Sequence, residues 1–403
     1  MNLMHKIVSR LSATLILAAV SLLPTGCTDD NSACPDDPAN GKTEVTLRFL
    51  VATRNTSPLS RADDCNDEAQ ASIAENYLNL QDIQFLIFNA DRQLLATFFP
   101  DVRNANDAYS QYAVTATLKL PYFDKAVEAN STSIQFYIMV VANSKNLGGR
   151  SIAANVGTTV DDILSENVIF NSPANVTAGI GWNPDYNANR YIPMAGMQSF
   201  TVSADQLIAS TPENPLQLND INMLRAVAKI EVIDNINAAR DTRISGAALN
   251  GFFTTGTVLP SANQWPGYVT ADVTLPTLPA DAVYDTDTPL LLVKDEYAMS
   301  LRADGAIVYS AYITEYSYET AAQHEPMVTV TLQPNDEGEK SYKRPFYLAK
   351  YNQGSQYADP VTELLRNHIY RYEVTDLSVD NTLELLYTVC PMSDVTSGEI
   401  SFN

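Results

Sequence analysis

Runs in which apolar and polar residues alternate with a period of two, the spacing of a half-buried strand, recur throughout the chain. In "EVTLRFLVA" the side chains of Val45, Leu47, Phe49 and Val51 share one face. The alternation, or a β-branched and aromatic run, returns in "LQDIQFLIFN", "YAVTATLKL", "SIQFYIMVVAN", "RAVAKIEVID", "GAIVYSAYIT", "MVTVTLQ", "HIYRYEVTDLSV" and "LELLYTV". Polar, turn-rich segments separate these runs, which predicts an all-β chain of sandwich type rather than alternating β and α units. One helix is predicted in "TTVDDILSENV": Thr159 can cap, Asp162 stands three residues on, and Val160, Ile163 and Leu164 form the apolar side. "STPENPLQLND", Ser210 to Asp220, is rich in Pro and Asn and reads as a linker between two parts of similar size.

Charge narrows the partners. The 403 residues carry 47 acidic against 25 basic side chains, a formal net charge of −22. Such a chain repels a phosphate backbone, so no nucleic-acid partner is expected. Hydrophobic residues make up 45% of the chain, enough to build real cores.

The N-terminus is the most specific local signal. Lys6 and Arg10 precede an apolar run, Leu11 to Leu23, that is too short to span a bilayer comfortably. "PTGC" follows, and the whole resembles a bacterial lipoprotein signal. Cleavage would leave Cys27 as an acylated N-terminus; the alternative is an ordinary secretory signal in which Cys27 is incidental. "TDDNSACPDDP" is too acidic to fold and resembles the surface-export tags of some Gram-negative anaerobes. Cys34, Cys65 and Cys390 remain, an odd number whose spacing fits no zinc site; a Cys34–Cys65 bridge is one option among several.

Catalysis finds little support. His5, His324 and His368 are far apart in sequence, and neither a Gly-rich phosphate loop nor a G-x-S-x-G elbow occurs. "DYNANR" starts like a calcium loop, but Arg190 stands at its sixth place and Gly196 at its twelfth, where Gly and Glu are needed. No catalytic residue, cofactor or metal ligand is assigned, and the chain is not expected to be an enzyme. His368, in "RNHIYRYEV", is expected to satisfy a local hydrogen bond rather than hold a metal.

The order of several blocks resembles the fimbrillins, subunits of the type V pili of gut and oral anaerobic bacteria. The lipoprotein signal is followed by an alternating strand, an Arg61–Ala62 junction and "LNLQDIQFLIFNADRQLL". "MLRAVAKIEV" resembles the block that opens the family's second domain, "LLRNHIYRYEVTDL" its late Arg-Asn-His strand, and "LELLYTVCPMSDVTSGEISFN" its C-terminal extension. Relatives often carry Trp shortly after that strand, where this chain has Met392 after Pro391, which leaves the subunit class open.

The resemblance implies two tandem transthyretin-like β-sandwich domains with few short helices. Residues 1–26 would be the signal, 27–61 a lipidated propeptide, 62–215 and 216–403 the two sandwiches, and 381–403 a donor-strand extension. It implies an outer-membrane lipoprotein precursor, cut by an arginine-specific protease between Arg61 and Ala62, with Arg54 as the alternative site. The strand carrying Val45, Leu47, Phe49 and Val51 would leave, and a strand from another fimbrial subunit, self or accessory, would replace it at the cell surface, in the service of adhesion. A sandwich missing a strand exposes unpaired N–H and C=O groups and apolar pockets, which an incoming strand fills. The candidate donor carries Leu383, Leu385, Tyr387 and Val389 on one face, although the same alternation suits an internal core strand. Two further readings stay open: an anchor or tip accessory subunit, and a glycan-binding surface lipoprotein unrelated to pili, with Trp182 and Trp265 as sugar platforms.

Overall fold

The structure, a computed structural model, describes residues 43–53, 71–107, 109–123, 132–165, 169–171, 182–237, 239–260, 282–317, 326–335, 341–348, 363–377 and 383–392. All of them lie in one unit, Gly41–Asn403. It is built mostly of strands, with few short helices.

The strands sort into two halves by pairing. In the first half they are β1 (Glu44–Ala52), β2 (Ile83–Phe88), β3 (Leu94–Phe98), β4 (Asp101–Asn104), β5 (Gln111–Lys119), β6 (Ile134–Ala142), β7 (Ile169–Asn171), β8 (Met194–Val202), β9 (Leu216–Gln217), β10 (Ile221–Asn222) and β11 (Leu224–Arg225). One five-stranded sheet runs β10-β1-β5-β4, with β9 also on β1; a second runs β11-β8-β6-β2-β3. The two meet face to face, Phe49 of the first lying edge-on to Phe85 of the second with ring centroids 6.4 Å apart.

The second half holds β12 (Val227–Asp234), β13 (Thr242–Asn250), β14 (Phe252–Phe253), β15 (Thr255–Thr257), β16 (Tyr284–Asp285), β17 (Leu290–Lys294), β18 (Ile307–Thr314), β19 (Tyr316–Ser317), β20 (Met327–Pro334), β21 (Tyr342–Tyr347), β22 (Glu363–Leu364), β23 (His368–Leu377) and β24 (Leu383–Pro391). Eight of them form one sheet, β21-β20-β13-β17-β18-β12-β23-β24, around a core that includes Ile230, Val232, Leu249, Val330, Tyr372 and Val374. β7 crosses between halves to pair with β15.

The predicted helix is present as α2 (Val160–Ser165), capped as its sequence reads: Thr159 Oγ1 donates to Asp162 at 2.7 Å and accepts from the Asp162 amide at 3.1 Å. Among the described residues three more α-helices are present, all short. α1 (Ile73–Asn76) and α3 (Ala204–Ala209) open with capping boxes, Ser72 with Glu75 and Ser203 with Gln206. α4 (Glu296–Leu301) is capped by Asp295.

The segment read as a linker does more than connect. Past a turn held by Thr211 and Asn214, it lays β9 against β1. β10 then lies between β1 and β8, where Gly196 makes the room: a Cβ there would stand 2.3 Å from the Asn222 carbonyl oxygen.

Candidate functional site

β1 reads as half-buried but is covered on both faces. Val45, Leu47, Phe49 and Val51 are buried in the sandwich, and Leu50 and Ala52 on the other face are buried as well. α3 and the loop after it account for part of that cover; the Ser210 hydroxyl accepts the Thr46 amide at 3.2 Å. Both edges are paired too. β5 runs antiparallel along the whole strand, from Glu44 opposite Lys119 to Ala52 opposite Gln111. On the other edge β9 and β10 run parallel, with Leu47 opposite Leu216 and Val51 opposite Ile221. Between them the Leu218 amide donates to the Arg48 carbonyl at 2.8 Å and the Met223 amide to that of Ala52 at 2.7 Å. Withdrawing β1 therefore opens a slot between β5 and β9–β10, not a new outer edge.

Thr53 ends the strand, fully buried, its amide donating to the Ser110 carbonyl at 3.0 Å. The next residue is Arg54. Arg54, Arg61 and Ala62, together with Cys27, Cys34, Cys65 and Trp265, lie outside the described residues.

From Thr53 a chain of buried polar groups leads across the molecule. Its hydroxyl donates to Asn76 Oδ1 at 3.3 Å. The same oxygen accepts Nη2 of Arg225, a fully buried guanidinium whose Nε donates to the Glu75 carbonyl at 2.9 Å. Arg225 Nη1 donates to Asn367 Oδ1 at 2.7 Å and to the Met392 carbonyl at 3.2 Å. Asn367 closes the link, its carbonyl accepting the Met392 amide at 2.9 Å. The end of the first strand is thus tied, through one arginine, to the residue that follows the last strand.

A second buried cation lies on the same seam. Lys229 Nζ stands 2.7 Å from Asp295, 3.1 Å from Glu231 and 3.2 Å from Glu75. Strand alternation puts Lys229 and Glu231 on the face of β12 opposite its core residues Ile230 and Val232. Burial works to discharge the lysine, but Asp295, Glu75 and Glu231 more than offset it and hold its pKa well above the ordinary range. For Asp295 burial raises the pKa, and Lys229 with the Ala298 amide brings it below the usual carboxylate value. Tyr312, driven well up by burial and by Glu75, stays protonated and donates to Glu75 Oε1 at 2.6 Å.

The Arg-Asn-His block is structural in each residue. Arg366 donates to Glu315 at 2.7 Å and to the carbonyls of Val258 and Thr257 at 2.6 and 2.9 Å, holding the chain around β15 in place. His368 Nδ1 lies 2.7 Å from the Arg366 carbonyl, which can only accept, so that nitrogen carries the proton. Burial lowers the His368 pKa to about 4, against the smaller upward effect of that bond. This is the local bond expected from the sequence.

Among the described residues β24 pairs with β23, at the end of the eight-stranded order. Leu383 is buried, and Leu385, Tyr387 and Val389 pack, partly exposed, against the same core. Leu383, Leu385, Tyr387 and Val389 therefore share one face, and that face meets the core of their own half. Cys390 is disulfide-bonded.

Trp182 does not offer a sugar platform: it is 1% exposed and lies edge-on to Tyr312 with centroids 5.6 Å apart. Among the described residues no group of three or more His, Cys, Asp or Glu is placed to hold a metal ion.

No protein-family model matches the chain, and no curated protein matches it. Solved structures do. The tip fimbrial protein Mfa3 of Porphyromonas gingivalis, truncated at its C-terminus, is similar with a TM-score of 0.52 at 17% identity, over 86% of this chain and 99% of that one. A fimbrial assembly protein of Parabacteroides distasonis is similar over 85% of this chain and 98% of that one, at 11% identity and a TM-score of 0.44. The fimbrial anchor protein Mfa2 of Porphyromonas gingivalis covers 86% of this chain and 96% of its own, at 10% identity and 0.32. The chain is fimbrillin-like in fold, an assembly of β-sandwich type, and the resemblance read from its sequence holds at that level.

Proposed function

We propose that this chain is a non-enzymatic subunit of a cell-surface fimbrium, made as a lipoprotein precursor acylated at Cys27 and matured by cleavage between Arg61 and Ala62. Cleavage releases β1, and a strand from another subunit takes its slot. The observation that supports this most is the setting of β1. A nine-residue strand, buried on both faces and paired on both edges, is followed two residues later by an arginine-bearing segment. While tethered, the strand fills its slot at high effective concentration; once cut, it competes on equal terms with an incoming strand. Assembly by such exchange is head-to-tail and gives an open filament. The test is digestion of the purified full chain with an arginine-specific protease, followed by N-terminal sequencing and sizing. The expected product begins at Ala62 and passes from monomer to polymer. A product that begins at Asn55 moves the site to Arg54, and a cut chain that stays monomeric removes the exchange reading.

One observation favours an accessory subunit at the tip or base over a shaft subunit. Leu383 sits in its own domain's core, so β24 is engaged at home rather than held out for a neighbour. Surface extracts distinguish the two: a detergent-resistant ladder marks a shaft subunit, whereas a single lipidated band marks an anchor.

A further inference from the structure

A cavity of about 630 Å³ opens on the seam between the halves, within the size range of small-ligand sites. Tyr312 and Asp295, both buried and part of the lysine cluster, line it. Its walls come from the start of α1, from the 183–190 hairpin and from the start of α4.

Two tyrosines on this cavity are held in place by structure that strand packing does not require. Tyr186 tops the hairpin and is 45% exposed. Asp185 fixes the hairpin by accepting the Asn187 and Ala188 amides at 2.9 and 3.2 Å and pairing with Arg190 at 3.1 Å. Tyr109 has φ 53°, a left-handed conformation that a bulky aromatic residue rarely adopts. Asn106 supports that turn by accepting the Ser110 amide at 3.0 Å. Tyr77 backs both rings, its centroid 4.8 Å from Tyr186 and 5.5 Å from Tyr109, and Tyr191 backs Tyr77 at 4.9 Å. The result is a braced aromatic wall beside a polar cavity.

The polar lining carries charges of both signs: Asp185, Asp295 and Glu296 with Arg190 and Lys294, and Lys229 beneath, shared among Asp295, Glu231 and Glu75. The amides of Asn183 and Asn187 add paired donors and acceptors. An anionic ligand would find no surplus of cations there and would approach a chain of net charge −22. A hydrophobic ligand would meet too many polar groups that it could not satisfy. A neutral, polyhydroxylated ring suits both features: its C–H face lies on a tyrosine, and its hydroxyls each donate and accept.

We infer that this cavity is a binding site for a neutral oligosaccharide, stacked on Tyr186 and Tyr109 and hydrogen-bonded by Asn183, Asn187 and Glu296. The site uses no part of β1, so it stands independently of the strand-exchange reading. On a surface protein it gives the subunit an adhesive contact with a glycan.

The test applies the full soluble chain to an array of neutral, sialylated and sulfated oligosaccharides and of unrelated peptides, followed by titration of the best neutral glycan at low and high salt. The expected result is binding to a neutral glycan that is insensitive to salt. Tyr186→Ala should weaken it about tenfold or more, as loss of an aromatic anchor does. Tyr186→Phe, which keeps the ring, should stay close to the parent. Asn187→Ala, at an exposed position, supplies a second reduction without risk to the fold, and melting curves check every variant. Binding only to acidic glycans or to peptides, binding to none of the probes, or neutral-glycan binding that Tyr186→Ala and Asn187→Ala leave unchanged would each overturn the assignment.

Discussion

The first and last described strands have equal length and opposite settings. β1 lies inside its sheet, with β5 on one edge and β9–β10 on the other, and has buried residues on both faces. Among the described residues β24 pairs with β23 at the end of its sheet; Leu386 is 58% exposed, Leu383 is buried, and Leu385, Tyr387 and Val389 are partly covered. Both patterns alternate, yet burial separates them. Val45, Leu47, Phe49, Leu50 and Val51 together contribute roughly 8–15 kcal/mol of gross burial at about 1.5–3 each. β24 has one buried leucine and three partial contacts on its inward face and buries less there, while its buried Cys390 holds it by a disulfide. A strand that leaves β1's position opens a slot inside its sheet and must be replaced, whereas β24 is held to its sheet by a covalent link as well as by packing.

The largest effect should come from excising residues 1–61. The cooperative melt of the first half is expected to fail, or the protein to self-associate, and a synthetic peptide of Glu44–Ala52 should restore the melt. Adding instead a peptide of Leu383–Pro391 sharpens the contrast. Rescue by it makes β24 the donor; no rescue, with full rescue by the β1 peptide, sends the search for the donor elsewhere.

Next is the tie between the two strands. Arg225→Met removes a buried cation and leaves Asn76, Asn367 and two carbonyls without it, an expected loss of about 3–5 kcal/mol. Hydrogen exchange should accelerate at both Thr53 and Met392. Acceleration at one end alone would mean that the two ends are not coupled.

A pH effect follows at the β23–β24 pair, where His368 stands opposite Pro391. Its folded pKa, about 4, lies below the unfolded value of about 6.5. Between those values the unfolded chain binds more protons, so stability rises with pH there. The contribution is fully present above about pH 6.5 and falls by about 3 kcal/mol on descending to pH 4, at about 1.4 per unit. His368→Asn should flatten that window in urea melts taken from pH 7 to pH 4. Asp295, whose pKa is lowered, adds an acid loss that begins below the ordinary carboxylate value.

The smallest pair of effects tests the two faces of β24. Leu385→Asp puts a charge against a partly covered core and should cost about 2 kcal/mol. Glu384→Gln, on the exposed side, should be silent within about 0.5 kcal/mol. Equal losses would show that β24 does not sit on its sheet in solution.

The long strands and α2 were legible because each carries its own period or cap. The face of Leu383, Leu385, Tyr387 and Val389 was legible for the same reason. β9 and β10 were not: two residues hold no period, and their pairing depends on β1, more than 160 residues upstream. The capping boxes of α1 and α3 could have been found in "SIAE" and "SADQ". The buried charges could not. Alternation assigns Lys229 to a face but does not say what covers that face, and its partners Glu75 and Asp295 come from distant parts of the chain. Trp182 misled because composition counts aromatic rings without their exposure, and the rings that line the cavity are tyrosines.

The double pairing of β1 also bears on how such a joint would carry load. The bonds to antiparallel β5 run across the strand and those to parallel β9 and β10 are slanted, so a pull along a strand gripped on both edges loads all of them together. A strand lifted from one end gives way one bond at a time. If a neighbour's strand occupies the slot between β5 and β9–β10, a fibre tugged by flowing liquid holds in shear at each junction, and the same junction opens easily only to a force that peels.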